Sequence, residues 1–174
     1  MTITNQMKLG SVDVVGAESL GQIGEFQDQD ISTTPGSPTL LSGLKKYAVL
    51  CMNDTGGAIT PGKGYTYKSG YLGTRVGAAS GANAICDGIA DPDVVGTIAD
   101  QAYFWLIIQG PTKALIGAGD QTANGVVQTL AAGVFGTGTA GTNPIGHCGK
   151  ALAAGTSGNL CRVVFNNPFA AVRP

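Results

Sequence analysis

The sequence predicts an all-β fold, a small β-barrel or β-sandwich preceded by an extended N-terminal arm. Three observations predict it. The run Tyr103-Phe104-Trp105-Leu106-Ile107-Ile108 is aromatic and β-branched without a polar break, the pattern of a strand buried on both faces. Turn signals recur about every ten residues along most of the chain. Glycine is 28 of 174 residues, against a usual level of roughly 7%, while 43% of residues are hydrophobic, so the chain is dense in turns yet apolar enough to pack.

Residues 1–44 differ from the rest. They hold five of the eleven acids (Asp13, Glu18, Glu25, Asp28 and Asp30) and few bulky apolar residues. Leu20, Ile23 and Phe26 recur at a spacing of three, which predicts a helical turn or two. Ser32-Thr33-Thr34-Pro35-Gly36-Ser37-Pro38 has the composition of a linker. Such an arm forms no core of its own. Leu20, Ile23, Phe26, Leu40 and Leu41 are therefore expected to anchor it to a partner or a neighbouring copy.

From residue 45 to the end the signals are those of one β domain. Tyr47–Asn53 reads as a strand ended by the turn Asn53-Asp54-Thr55-Gly56-Gly57, and Ala58–Gly64 as an edge segment with a Pro-Gly turn. Tyr65-Thr66-Tyr67-Lys68 alternates aromatic and polar residues, as a half-exposed strand does. Short strands are expected at Gly73–Gly77 and Ala84–Ile89. The aromatic strand follows, with Phe104, Trp105 and Ile107 as its core residues. Gly110-Pro111 is expected to end it at a corner and to start a second, shorter strand. Val126–Leu130, Gly133–Phe135, Ile145–Leu152 and Asn159–Phe165 complete the set, with Thr122–Ala132 open to a short helix instead.

Composition excludes several functions. The net charge is −1 and the ten cations stand singly apart from Lys45-Lys46, so the clustered charge that binds nucleic acid is missing. No run approaches the eighteen or so apolar residues of a membrane-spanning helix. The N-terminus shows neither a charged leader nor a cleavage pattern, so synthesis in a cytoplasm is expected. Charged residues are only 12%, about half the usual share, which favours burial of surface against copies of the same chain.

Catalytic and ligand templates fail on inspection, and no cofactor is expected. The single histidine, His147, reads as a solvated or hydrogen-bonded strand residue. No Gly-x-Ser-x-Gly occurs, and Gly155-Thr156-Ser157-Gly158-Asn159 misses its last glycine. Gly136-Thr137-Gly138-Thr139-Ala140-Gly141 matches a dinucleotide fingerprint. Asn143-Pro144 blocks the helix it requires, however, and no acid follows Asp120 to hold a ribose, so it reads as a flexible loop. No metal site is expected. Asp87, Asp91 and Asp93 lack the ligand ladder of a calcium loop, and adjacent His147 and Cys148 point to opposite faces of a strand. Cys51, Cys86, Cys148 and Cys161 read as buried thiols, with a Cys148–Cys161 disulfide open. Asn53-Asp54-Thr55 matches a glycosylation sequon without a secretory context.

Three stretches together carry a family resemblance: Met52-Asn53-Asp54-Thr55-Gly56-Gly57-Ala58-Ile59-Thr60-Pro61-Gly62, then Phe104-Trp105-Leu106-Ile107-Ile108-Gln109-Gly110-Pro111, then Ile145-Gly146-His147-Cys148-Gly149-Lys150-Ala151-Leu152. Their order over residues 46–168 resembles the head decoration (capsid cement) proteins of tailed bacteriophages. The resemblance implies a β-barrel or β-tulip protomer, a homotrimer on the outer surface of the capsid, the major capsid protein as partner, and no enzymatic activity. Two other readings share the composition. One is a tail- or fibre-associated virion module; the other is a carbohydrate-binding domain that stacks sugars on Trp105, Tyr65, Tyr67 and Tyr71.

Overall fold

A computed structural model describes residues 20–30, 39–138 and 146–166. The chain is all-β: ten strands, a 3-10 turn at Ala131–Gly133, and no α-helix among the described residues. The strands are β1 (Ile23–Asp30), β2 (Thr39–Asn53), β3 (Gly64–Tyr67), β4 (Arg75–Ala79), β5 (Gly88–Ala90), β6 (Tyr103–Leu115), β7 (Val126–Thr129), β8 (Phe135–Thr137), β9 (His147–Ala151) and β10 (Leu160–Asn166).

Their pairing runs β1-β2-β4-β3-β5-β6-β10-β9-β7-β8, and β2 also pairs with β6. That extra pairing closes a circuit of β2, β4, β3, β5 and β6, antiparallel throughout except for β2 with β4. β1 lies outside this circuit on β2, while β10, β9, β7 and β8 curl back on the far half of β6. Ile116, one residue beyond β6, bridges Phe135 of β8, and the Gly117 N–H donates to the Phe135 carbonyl at 2.8 Å. Closure of this kind leaves few sheet edges to manage.

β6 is the wall shared by both circuits, and its alternation fills two cores. Phe104 and Leu106 face one way, with Val49, Cys51, Tyr65, Val76 and Ile98. Trp105 and Ile107 face the other, with Leu50, Phe135, Cys148, Val163 and Phe165. A strand buried on both faces has no polar position to spare, hence its unbroken apolar run.

β6 does not stop at Gly110-Pro111. It continues through them to Leu115, which corrects the expected corner and separate second strand. The reason is pairing on a single edge. β2 and β5 leave β6 by Gln109, and from there β10 pairs with Gln109–Leu115. A proline, lacking an N–H, is tolerated where one neighbour has left. Gly110 has φ +99°, and a Cβ there would collide with the Lys45 carbonyl and lie 2.7 Å from Lys46 Cα. Only glycine lets β2 cross so close.

The expected helical turn at Leu20–Phe26 is also corrected. Residues 23–30 form β1, paired antiparallel with β2 from Ile23↔Val49 to Gln27↔Lys45. A ready strand partner outweighs a weak local helical period. β2 runs unbroken through residue 44, where the arm was expected to give way to the domain. Elsewhere, Thr122–Ala132 contains β7 rather than a helix, and of the expected 84–89 strand only Gly88 and Ile89 lie in β5, which runs on to Ala90. Ile85 is exposed instead.

Candidate functional site

The anchors picked from the sequence do not act alike. Phe26 turns inward, its ring edge-to-face on Trp105 with centroids 5.1 Å apart and an interplanar angle of 71°. Gly24 makes room for this, since a Cβ there would lie 2.6 Å from the Phe26 ring and 3.2 Å from Trp105. Ile23 points outward and is 55% exposed, as is Leu44, a position the sequence did not single out. Leu20 and Leu41 are half-buried, and Leu40 lies in β2 with its side chain outside the described residues. Phe104, Trp105 and Ile107 are fully buried.

The chain just before β1 abuts the loop that leads into β4. Gly21 sits against Thr74 and Gly73, beside exposed Tyr71 and Leu72, the latter 70% exposed. The loop is braced by Asp54, whose Oδ2 accepts from Lys68 Nζ at 2.8 Å and Arg75 at 3.2 Å. The Lys68 hydrogen bond, then that of Arg75, holds the Asp54 carboxyl below its usual range against the opposing effect of partial burial. The Arg75 guanidinium also lies 4.5 Å above the Tyr71 ring. Ile23, Tyr71 and Leu72 are exposed apolar side chains beside this braced frame. Nothing in the local sequence marks Asp54, Lys68 and Arg75 as a group, because they come from three separate segments.

The other residues considered for chemistry fall into structural roles. Asn53, fully buried, reaches the carbonyls of Gly57 (2.8 Å), Ile98 (3.1 Å) and Ala99 (2.9 Å), so the sequon is a loop clamp. Asp87 accepts the Tyr67 N–H at 2.8 Å, while Asp91 accepts the Asp93 N–H at 3.1 Å. Among the described residues no three His, Cys, Asp or Glu side chains converge as a metal site would require. His147, expected to be solvated or hydrogen-bonded, is half-buried, and its Nε2 is buried with no hydrogen-bond partner. A bulge at Val127/Gln128 sets it opposite Gln128, whose Oε1 is likewise buried and unpartnered, and Gly138 packs on its ring. Gly136 belongs to β8 rather than to a loop, and 139–141 lie outside the described residues.

All four cysteines are buried free thiols. Burial pushes the Cys86 thiol up to about 12 and raises those of Cys148 and Cys161. The four aromatics of the sugar-stacking reading do not share a surface. Trp105 and Tyr65 are buried in different cores, Tyr67 is half-buried, and only Tyr71 is exposed. Among the described residues no helix is long and apolar enough to cross a membrane.

No protein-family model and no curated protein sequence matches the chain. A solved structure does. The chain is similar in fold to the N base of head fiber gp8.5 of bacteriophage phi29, at 13% identity and a TM-score of 0.52, over 69% of this chain and 93% of that one. At this identity the likeness is one of fold.

Proposed function

We propose that this protein is a structural component of a tailed-phage virion, a decoration or cement protein that binds the outside of the head and staples neighbouring major capsid subunits. The observation that carries the proposal is the shared fold with a phage head-fibre base over most of the chain. The order of the three stretches in 46–168 supports the finer reading of a cement protein.

The geometry is consistent in kind. The side chains gathered here are spent on packing two cores and bracing loops, while apolar residues at the β1 end remain outward. Many copies on a lattice add weak contacts, so modest apolar surface per protomer suffices. Burying one outward Leu or Ile contributes on the order of 1.5–3 kcal/mol. In this reading the protein is a homotrimer without enzymatic activity, and its partners are the major capsid protein and itself.

Mixing the purified chain with heads that lack it, then sedimenting and imaging the particles, tests the proposal. Density on the outer head surface that bridges capsid subunits is expected, with a trimer by sizing of the free protein. Density confined to a fibre base would support the fibre-associated alternative, which the phi29 likeness keeps in view. No co-sedimentation with heads would overturn both.

A further inference from the structure

Two stretches of the chain carry no Asp, Glu, Lys or Arg: residues 76–86, between Arg75 and Asp87, and residues 121–149, between Asp120 and Lys150. They are separate in sequence, and the fold joins them. The Asn83 N–H donates to the Thr129 carbonyl at 3.0 Å, and the Gly133 N–H donates to the Ser80 carbonyl at 2.8 Å. Thr129 Oγ1 accepts from the Ala84 N–H at 3.2 Å and donates to the Ala84 carbonyl at 2.9 Å. Gly146 packs on the same junction, where a Cβ would lie 2.6 Å from Asn83 Cα. The end of β4, the loop after it and the 3-10 turn between β7 and β8 thus form one braced surface. Ala79, Ala82, Ile85, Ala131 and Ala132 are exposed on it.

This surface differs in kind from the exposed residues near β1. Tyr71 and Leu72 stand beside the charged group of Asp54, Lys68 and Arg75, whereas none of the residues joined here is charged. The flanking charges are engaged elsewhere, Arg75 with Asp54 and Asp87 with the Tyr67 N–H.

Neutrality has a specific use in a closed oligomer. A residue near a rotation axis meets its own copies. A charge there would face the same charge in a dehydrated contact, which is strongly unfavourable. An axial surface is therefore selected to be neutral. Alanine and glycine also lose no side-chain entropy on burial, and loops already held by hydrogen bonds have little left to order. Ile85, 40% exposed, adds a larger apolar contact. A charged partner would find nothing here to pair with; a second copy of the chain meets no repulsion.

We propose that copies of the chain meet through this surface around their rotation axis. The inference rests on the homotrimer of the reading above and assigns the face that closes it.

Analytical ultracentrifugation of the full-length protein over a concentration series tests it. Ala132 has φ +58°, a backbone region that Asp adopts more readily than Ala, so Ala132→Asp adds a charge without adding strain to the protomer. It should raise the concentration of half-dissociation by about tenfold or more, with part of the loss recovered in high salt. Ala82→Asp should act in the same direction. Val95, 95% exposed on a different loop, takes the same charge as Val95→Asp and should leave assembly unchanged. An Ala132→Asp variant that assembles as well as wild type would overturn this face and leave the homotrimer standing, as would an equal loss in Val95→Asp. A wild-type chain that stays monomeric at every concentration would overturn the homotrimer itself, and this inference with it.

Discussion

Gly110→Ala is the sharpest probe of the architecture, because the shared wall β6 depends on β2 passing against that residue. Two costs add. At φ +99° an alanine is in a region that L side chains avoid, which costs about 1–3 kcal/mol. Its Cβ would also collide with the Lys45 carbonyl and the Lys46 Cα, backbone atoms with no rotamer to yield, for a further 1–3 kcal/mol or so. The sum, about 2–6 kcal/mol, is a large share of a typical domain stability of roughly 5–15 kcal/mol. Gly56→Ala isolates the first cost, for Gly56 has φ +82° and open space where a Cβ would go. Urea unfolding of both variants measures the difference, and Gly110→Ala should be about 1–3 kcal/mol worse than Gly56→Ala. Equal losses within about 0.5 kcal/mol would show that β2 does not press on Gly110, and the two-circuit fold would lose its hinge point.

Phe26→Ala should cost about 2–3 kcal/mol, below the usual loss for a fully buried Phe because its ring is only half-buried, and should red-shift Trp105 emission as the indole loses its cover; unchanged emission would refute the packing. Asn53→Ala removes the amide shared by three carbonyls, each of which keeps another donor (the Thr55 hydroxyl, the Ile59 N–H and the Ala102 N–H), and should cost about 1–2 kcal/mol by urea unfolding, whereas Thr55→Ala should cost less than about 1 kcal/mol. Cys86 holds its proton more tightly folded than unfolded, its ordinary value being 9.0 and its folded value about 12. Its contribution is therefore complete below pH 9 and is lost as pH rises from 9 towards 12; Cys86→Ala should flatten that alkaline limb of a pH–stability curve. Asp54 has the opposite sign. Its lowered carboxyl contributes above the ordinary carboxylate range and loses that contribution as pH falls through it, so Asp54→Asn should soften the acid limb.

The β1 edge shows why an apparent arm need not be a sticky one. Asp28 places a buried charge on the edge strand, and a bulge at Gln27/Gln29 breaks its register. Both features discourage another strand from pairing there. Contact with a partner would then run through outward side chains such as Ile23 and Leu72 rather than through backbone pairing.

The sequence by itself determined that the chain is all-β. It placed most strands to within a few residues, and its unbroken run at 103–108 identified the strand with two buried faces. These features are local: a strand buried on both sides must be apolar at every position, and turns need Gly, Pro, Asn or Asp wherever they fall. Only the tertiary structure decided the rest. Gly110-Pro111 reads as a stop until β10 supplies a partner on one edge, and Leu20–Phe26 reads as a helical turn until β2 offers a register. Asp54 with Lys68 and Arg75, and Asn53 with Ile98 and Ala99, are separated in sequence and meet only through the tertiary fold. Sequence periodicity reports which face of an element is buried. Which buried faces meet, and which polar groups are left facing each other, depends on long-range pairing that no local pattern records.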